Sequence, residues 1–441
     1  MRSWKEISSS AATLCARLSS TASMLVIQGI AKRRMTPAEF GLWAILLSIN
    51  LFTNGLDMGF QFTLGIRLAA LGARGRETEE ECRETFLSVI FLQALIVIVD
   101  SLIVLFVFPH LPLAHWFKIA DPLLAAETVR LMPIATVVMI GTLPIGLVWT
   151  VFFAYHEIKL ASYLVAFSNA FQTIAFIVCV YWFRLPSLDA FSSLVLVYFG
   201  LNLIQGVVLT AYVFIRRGWR FSCIPPARMV AIIRSLARNS FYAFFHTING
   251  ILGSILGPII SGFVSGLTAA GDFLLIQKLF SFLASTHLAI LSPVAPFVTR
   301  ESHAGNWDAV RQRLRVCLLE VWPAFFFGLG GLVLLAHPLI IRLWAGDTIR
   351  DYRLAGLLLL WACVTGFVNT YSVFLNSLGL VKIQAILAFI LILPSILLPA
   401  LFSRWFGVLG IPLGMVVCSL PAIFIWPIYT RRALRLQLHR T

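Results

Sequence analysis

A single lysine, Lys278, stands in an apolar run long enough to cross a bilayer, and no carboxylate lies three or four residues away from it. At helical spacing Lys278, Ser281, Ser285 and Ser292 fall within about a 60° sector, while Phe280, Phe282, Leu283 and Ile290 point elsewhere. A lysine in hydrocarbon costs roughly 2.5–3.5 kcal/mol on insertion scales. Water in a cavity, a partner charge or an anionic ligand must offset that cost. A cation on a serine-lined stripe is suited to holding a phosphate-like anion.

Three further stretches carry polar faces. Arg17, Thr21 and Gln28 share one face of a weakly apolar first segment. Asn54, Asp57 and Gln61 recur at helical spacing in the second, where Asp57-Met58-Gly59-Phe60 interrupts the apolar pattern. Tyr242, His246, Asn249 and Gly253 do the same in the seventh. Asp100 is isolated in the third. The helices that must position these groups are read from hydropathy. About twelve near-spanning segments are expected, at roughly 11–31, 38–66, 86–108, 129–154, 161–183, 190–215, 240–265, 270–298, 316–336, 354–378, 383–402 and 407–429. Thr36-Pro37-Ala38-Glu39 reads as a helix start, with proline in the first turn and glutamate at the positive end. Pro133 and Pro144 are expected kinks in the fourth segment, and the fifth and sixth are expected to pack against lipid and each other.

The composition agrees with a polytopic membrane protein. Of 441 residues 59% are apolar and 12% charged. The net charge of +15 lies in the connections, so nucleic-acid binding is a poor explanation of it. Lys and Arg are in excess in the tails and the even-numbered connections, above all 216–238, 300–315 and the stretch after 431. This puts both termini in the cytoplasm, with Lys32-Arg33-Arg34 a local exception on the outside. Within the basic connection, Met229 to Ala237 could form an amphipathic helix on the inner leaflet. The seven cysteines form no CxxC or Cys/His cluster, so neither a disulfide framework nor a metal site is indicated, and no cofactor is expected. No Gly-Lys dipeptide occurs, so a P-loop is not expected. The polar faces sit in segments one, two, seven and eight, the same positions in each half of a six-plus-six arrangement. This predicts two six-helix bundles, residues 1–220 and 221–441, around a central cavity.

Several stretches resemble the polysaccharide (O-antigen) flippases of the multidrug/oligosaccharidyl-lipid/polysaccharide exporter superfamily. They are Ala38-Glu39-Phe40-Gly41-Leu42-Trp43 with Asp57-Met58-Gly59-Phe60, and Asp272 to Lys278 leading to Pro293-Val294-Ala295-Pro296. To these are added Leu375-Asn376-Ser377-Leu378-Gly379 and Phe406-Gly407-Val408-Leu409-Gly410-Ile411-Pro412. The resemblance implies an inner-membrane transporter, not an enzyme, that carries an undecaprenyl-pyrophosphate-linked oligosaccharide to the outer leaflet. It also implies lipids and other polysaccharide-assembly membrane proteins as neighbours. The two extra C-terminal helices usual in lipid II flippases are not expected from the hydropathy of this sequence.

At ~1.5 Å per residue, Arg17 is about 21 Å from the outer helix ends, Asp57 about 27 Å, His246 about 28 Å and Lys278 about 12 Å. This suggests a lower and an upper cationic station, with Arg17, Lys278, His246 and Asn249 as substrate-binding candidates. Each has a plainer alternative: Lys278 can snorkel to the outer interface, Arg17 can pair with Asp57, and His246 can be an ordinary hydrogen-bonded histidine. Asp57 and Asp100 are candidates for ion coupling or for structural pairs. A cation-coupled multidrug antiporter of the same fold would want an acidic cavity. A membrane glycosyltransferase or polymerase would want paired carboxylates or a large outside loop, and neither is visible.

Overall fold

The computed structural model describes residues 2–53, 55–72, 78–155, 157–182, 187–291 and 294–438. Among these, regular structure is entirely helical. The first ten helices are α1 (Arg2–Arg34), α2 (Pro37–Thr53), α3 (Phe60–Gly72), α4 (Glu79–Val107), α5 (Leu113–Trp116), α6 (Pro122–Ile140), α7 (Leu143–Ala154), α8 (Ile158–Trp182), α9 (Ser187–Arg217) and α10 (Pro226–Ser265). They are followed by α11 (Leu267–Leu291), α12 (Val294–His303), α13 (Trp307–Val316), α14 (Gly330–Ala345), α15 (Tyr352–Ser377), α16 (Val381–Phe406) and α17 (Gly410–Leu438).

Nine stretches of the described residues are long and apolar enough to cross a membrane. One of them, Lys382–Leu434, runs for 53 residues and holds two passes, α16 and α17, joined by the turn at Gly407–Leu409. The polar α1 and the broken pair α2–α3 complete the twelve passes expected from hydropathy. The chain divides into two compact units, Met1–Ile251 and Leu252–Thr441. The division falls inside α10, and not at the 220/221 connection expected from the sequence. Ser240 of α10 bonds to Thr63 of α3 and Leu236 joins the first unit's core, so the first half of this helix belongs to that unit.

Helix starts follow their local chemistry. At α2, Thr36 N–H donates to Glu39 Oε2 at 2.7 Å and Glu39 N–H to Thr36 Oγ1 at 3.3 Å, a reciprocal capping box. Asp121 caps α6 ahead of Pro122, accepting from Leu123 N–H at 2.9 Å. The fourth pass breaks at Gly141–Thr142, and Pro144 occupies the first turn of α7, where a missing N–H costs nothing. Around Pro323 the ninth pass adopts two π-helical turns, Cys317–Val321 and Ala324–Leu329. The proline lacks an N–H and crowds the preceding turn, and the wider turns accommodate it.

Inside the first unit, Trp43 is fully buried among Tyr198, Phe176 and Phe199, with centroid distances of 5.1–6.1 Å. The fifth pass, expected to pack against lipid and the sixth, also packs on α1. Its Thr173 hydroxyl lies 2.6 Å from that of Ser23 on α1, and Asn169 Nδ2 donates to Ser20 Oγ at 2.7 Å. Helices in lipid lack a hydrophobic drive toward each other, so small hydroxyl and amide side chains hold such pairs together. The amphipathic stretch Met229–Ala237 is likewise not a separate surface helix. It is continuous with the seventh pass, and Ile232, Ile233 and Leu236 pack against the core around Phe86 and Trp219. Arg234 and Arg238 remain exposed.

Candidate functional site

The candidate groups sit on three described stretches. The first is the break between α2 and α3. Asp57 Oδ1 accepts from Gly59 N–H and Oδ2 from Gln61 N–H, both at 3.0 Å. The carboxylate therefore caps α3, where a negative charge meets the positive helix end. Met58 and Gly59 have left-handed backbone, with φ of 52° and 73°. Gly59 is required twice over: a Cβ there would also stand 2.3 Å from the Ser240 carbonyl oxygen of α10. Three helices fasten the break. Gln93 of α4 donates to the Asp57 carbonyl at 2.9 Å, Gln61 donates to the Gly146 carbonyl of α7 at 2.6 Å, and the Thr63 and Ser240 hydroxyls meet at 2.6 Å.

Asp57 is thus occupied as a helix-end anchor. Asp100 is different. It is half-buried two turns along α4 from Gln93, at the spacing of Val97 and Val104, and makes no hydrogen bond or ion pair among the described residues. The structure does not bring Asp57 and Asp100 together. The side chain of Arg17 lies outside the described residues, so its relation to Asp57 is not part of this geometry. Asn54 lies outside them as well.

The second stretch is the α10 face. Tyr242 is exposed, and Asn249 is half-buried and engaged. The side chain of His246 lies outside the described residues. Gly253, in the second unit, lets Trp361 approach, with its Cζ2 3.5 Å from where a Cβ would stand.

The third is α11, in the second unit. Phe280 and Leu283 are fully buried, Phe282 is half-buried and Ile290 is exposed. Lys278 and Ser281 are half-buried and Ser285 is exposed, so the polar stripe is turned from the unit's core. Ser285 Oγ donates back to the Ser281 and Phe282 carbonyls, at 2.9 and 3.0 Å. No carboxylate among the described residues lies within ion-pair distance of the Lys278 ammonium, and it donates no hydrogen bond to any of them. Ser292 lies outside the described residues. Beside Lys278, Gln277 is 1% exposed and reaches Gly253 O at 3.3 Å, pinning α11 to α10. Sequence reading did not single out Gln277. Its place next to a half-buried lysine, on the core side, was the available signal.

A fourth cluster lies at the end of the first unit that carries the 216–238 connection, where half of the arginines of that connection meet carboxylates of the same unit. Arg216 and Arg217 both reach Glu157 Oε1 at 3.1 Å, and Arg228 reaches Glu84 at 2.5 Å. Arg67 pairs with Glu81 at 2.7 Å. Glu79 accepts from the Tyr155 hydroxyl at 2.9 Å and from Trp219 Nε1 at 2.7 Å, and the Arg217 guanidinium lies 3.6 Å from the Tyr155 ring centroid. These arginines are spent on the protein's own carboxylates. Among the described residues no group of three or more His, Cys, Asp or Glu is placed to hold a metal.

No family model matches the sequence, and no curated protein sequence matches it. Solved structures do match. A multidrug resistance MATE family transporter of the MOP superfamily, in its inward-facing conformation, aligns over 95% of this chain and 96% of its own with TM-score 0.76 and 10% identity. The lipid II flippase MurJ, inward closed, aligns over 96% and 87% with TM-score 0.69 and 14% identity. A MOP superfamily transporter from Pyrococcus furiosus, described as having a binding pocket of reverse polarity, aligns over 97% and 96% with TM-score 0.62 and 12% identity. The chain is an all-α polytopic membrane protein with the twelve-helix, two-bundle fold of these transporters.

Proposed function

We propose that this protein is a flippase that moves a polyprenyl-pyrophosphate-linked oligosaccharide from the cytoplasmic to the outer leaflet of a bacterial inner membrane, for cell-surface polysaccharide assembly. The observation that carries the reading is Lys278. A cation inside a spanning helix, half-buried and without a carboxylate partner among the described residues, calls for an anionic or wet surrounding. A pyrophosphate head group supplies the anion. In this reading Lys278 and Arg17 are cationic contacts for the phosphates, His246 and Asn249 are further substrate contacts, and the polyprenyl tail stays in lipid. The two bundles alternate access to a central cavity, with both termini in the cytoplasm. The fold shared with MurJ, a lipid II flippase, supports it. Other polysaccharide-assembly membrane proteins would be partners, and no covalent chemistry is assigned to the chain. The test is translocation of a lipid-linked oligosaccharide in vesicles reconstituted with the purified protein, set against empty vesicles.

A second reading, cation-coupled export of drugs, is favoured by Asp100. It is a half-buried carboxylate in a spanning helix with no partner among the described residues, on a fold shared with a multidrug MATE transporter. Efflux of a cationic dye driven by a proton or sodium gradient, abolished by Asp100→Asn, would select this reading over the first.

A further inference from the structure

The connection between α14 and α15 forms a groove that neither cationic station uses. It has a volume of about 610 Å³, within the range of roughly 300–1,000 Å³ typical of small-molecule sites. Its lining includes Asp272 from α11 together with Asp347, Arg350, Asp351, Tyr352 and Arg353. All belong to the second unit, at the end that the charge distribution of the connections assigns to the outside.

The groove is pre-organised. α14 ends on Gly346 in the left-handed region, φ 76°, with its N–H on the Arg342 carbonyl. α15 begins on Asp351, whose Oδ1 accepts from Leu354 N–H at 2.9 Å. The segment between is therefore fixed at both ends. Tyr352 is 50% exposed, and the buried His337 packs edge-on against its ring at 4.8 Å. Arg350 and Arg353 are exposed and form no ion pair among the described residues. The site thus offers a held aromatic face, Tyr352, flanked by the fork-shaped donors of Arg350 and Arg353. A neutral ligand with an apolar C–H face and vicinal hydroxyls meets a ring for the first and bidentate partners for the second.

We propose that this groove is a sugar-binding site that receives the glycan as it emerges on the outside. Its role in transport rests on the flippase reading; its capacity to bind a sugar does not. The experiment is saturation-transfer NMR on the full-length protein in nanodiscs, with neutral methyl glycosides of glucose, galactose, mannose, rhamnose and N-acetylglucosamine as probes. Transfer to the ring protons of at least one glycoside is expected. It should weaken roughly three- to tenfold in Tyr352→Ala, as loss of one stacking aromatic implies, weaken in Arg350→Ala, and persist in Tyr352→Phe. No transfer in the wild type, or equal transfer in all the groove variants, overturns the site. Sugar binding in a wild-type protein that fails to translocate the lipid-linked oligosaccharide removes the flippase reading and leaves the site standing.

Discussion

Gln93 of α4 donates its side-chain N–H to the main-chain carbonyl of Asp57 at 2.9 Å, while the Asp57 carboxylate accepts two N–H groups at the start of α3. One residue is thus held through its backbone by one helix and through its side chain by another. The second pass is broken and yet fixed.

The first prediction concerns Asp57 itself. Asp57→Ala removes the cap and should lower stability by about 0.5–2 kcal/mol, read as a fall in the thermal unfolding midpoint in detergent. Asp57→Asn keeps one of the two acceptor oxygens and should lose less stability than Asp57→Ala. An Asn variant with unchanged unfolding but lost transport would instead give Asp57 a part in ion coupling.

Two glycines with positive φ should respond differently to alanine. Gly59→Ala forces a Cβ to within 2.3 Å of Ser240 O and strains φ 73°, so folded protein should be largely lost from membranes. Gly218 has φ 63° with nothing within 4 Å of its Cβ position, so its alanine variant should lose only about 1 kcal/mol. Fluorescence-detected size exclusion of the two variants measures the contrast.

The α1–α8 contact should behave as membrane polar contacts do. Asn169→Val removes the bond to Ser20 and should cost about 0.6–1.7 kcal/mol, a shift of the unfolding midpoint without loss of expression.

Beside the Arg217–Glu157 pair of the first unit, burial raises the Tyr155 phenol above its ordinary 10.0, and Cys82 and the Glu79 carboxylate push it further in the same direction. A proton held more tightly when folded gives stability that is complete below the ordinary tyrosine value and is lost as pH rises above it. Unfolding midpoints measured from pH 8 to 11 should fall at the alkaline end, and Tyr155→Phe should flatten that fall.

Hydropathy made the twelve passes legible, and helical spacing made the serine-lined stripe beside Lys278 legible, because both depend on neighbours along the chain. Partners from distant segments were not legible. The arginines at 216, 217 and 228 read as a surface charge run, yet they meet Glu157 and Glu84, which the sequence gives no means of bringing near. Ile232, Ile233 and Leu236 have the pattern of a membrane-surface helix, and only the continuity of α10 turns them onto the protein core. The polar face of Asn54, Asp57 and Gln61 was visible. The left-handed pair Met58–Gly59 that splits the helix there lies against a carbonyl of Ser240, in a helix far along the chain.

The most direct measurement of the central claim compares wild type, Lys278→Arg and Lys278→Ala in vesicles loaded with a lipid-linked oligosaccharide. The account predicts that Lys278→Arg keeps translocation, and that Lys278→Ala loses it while folding normally. Wild-type rates from Lys278→Ala would contradict it.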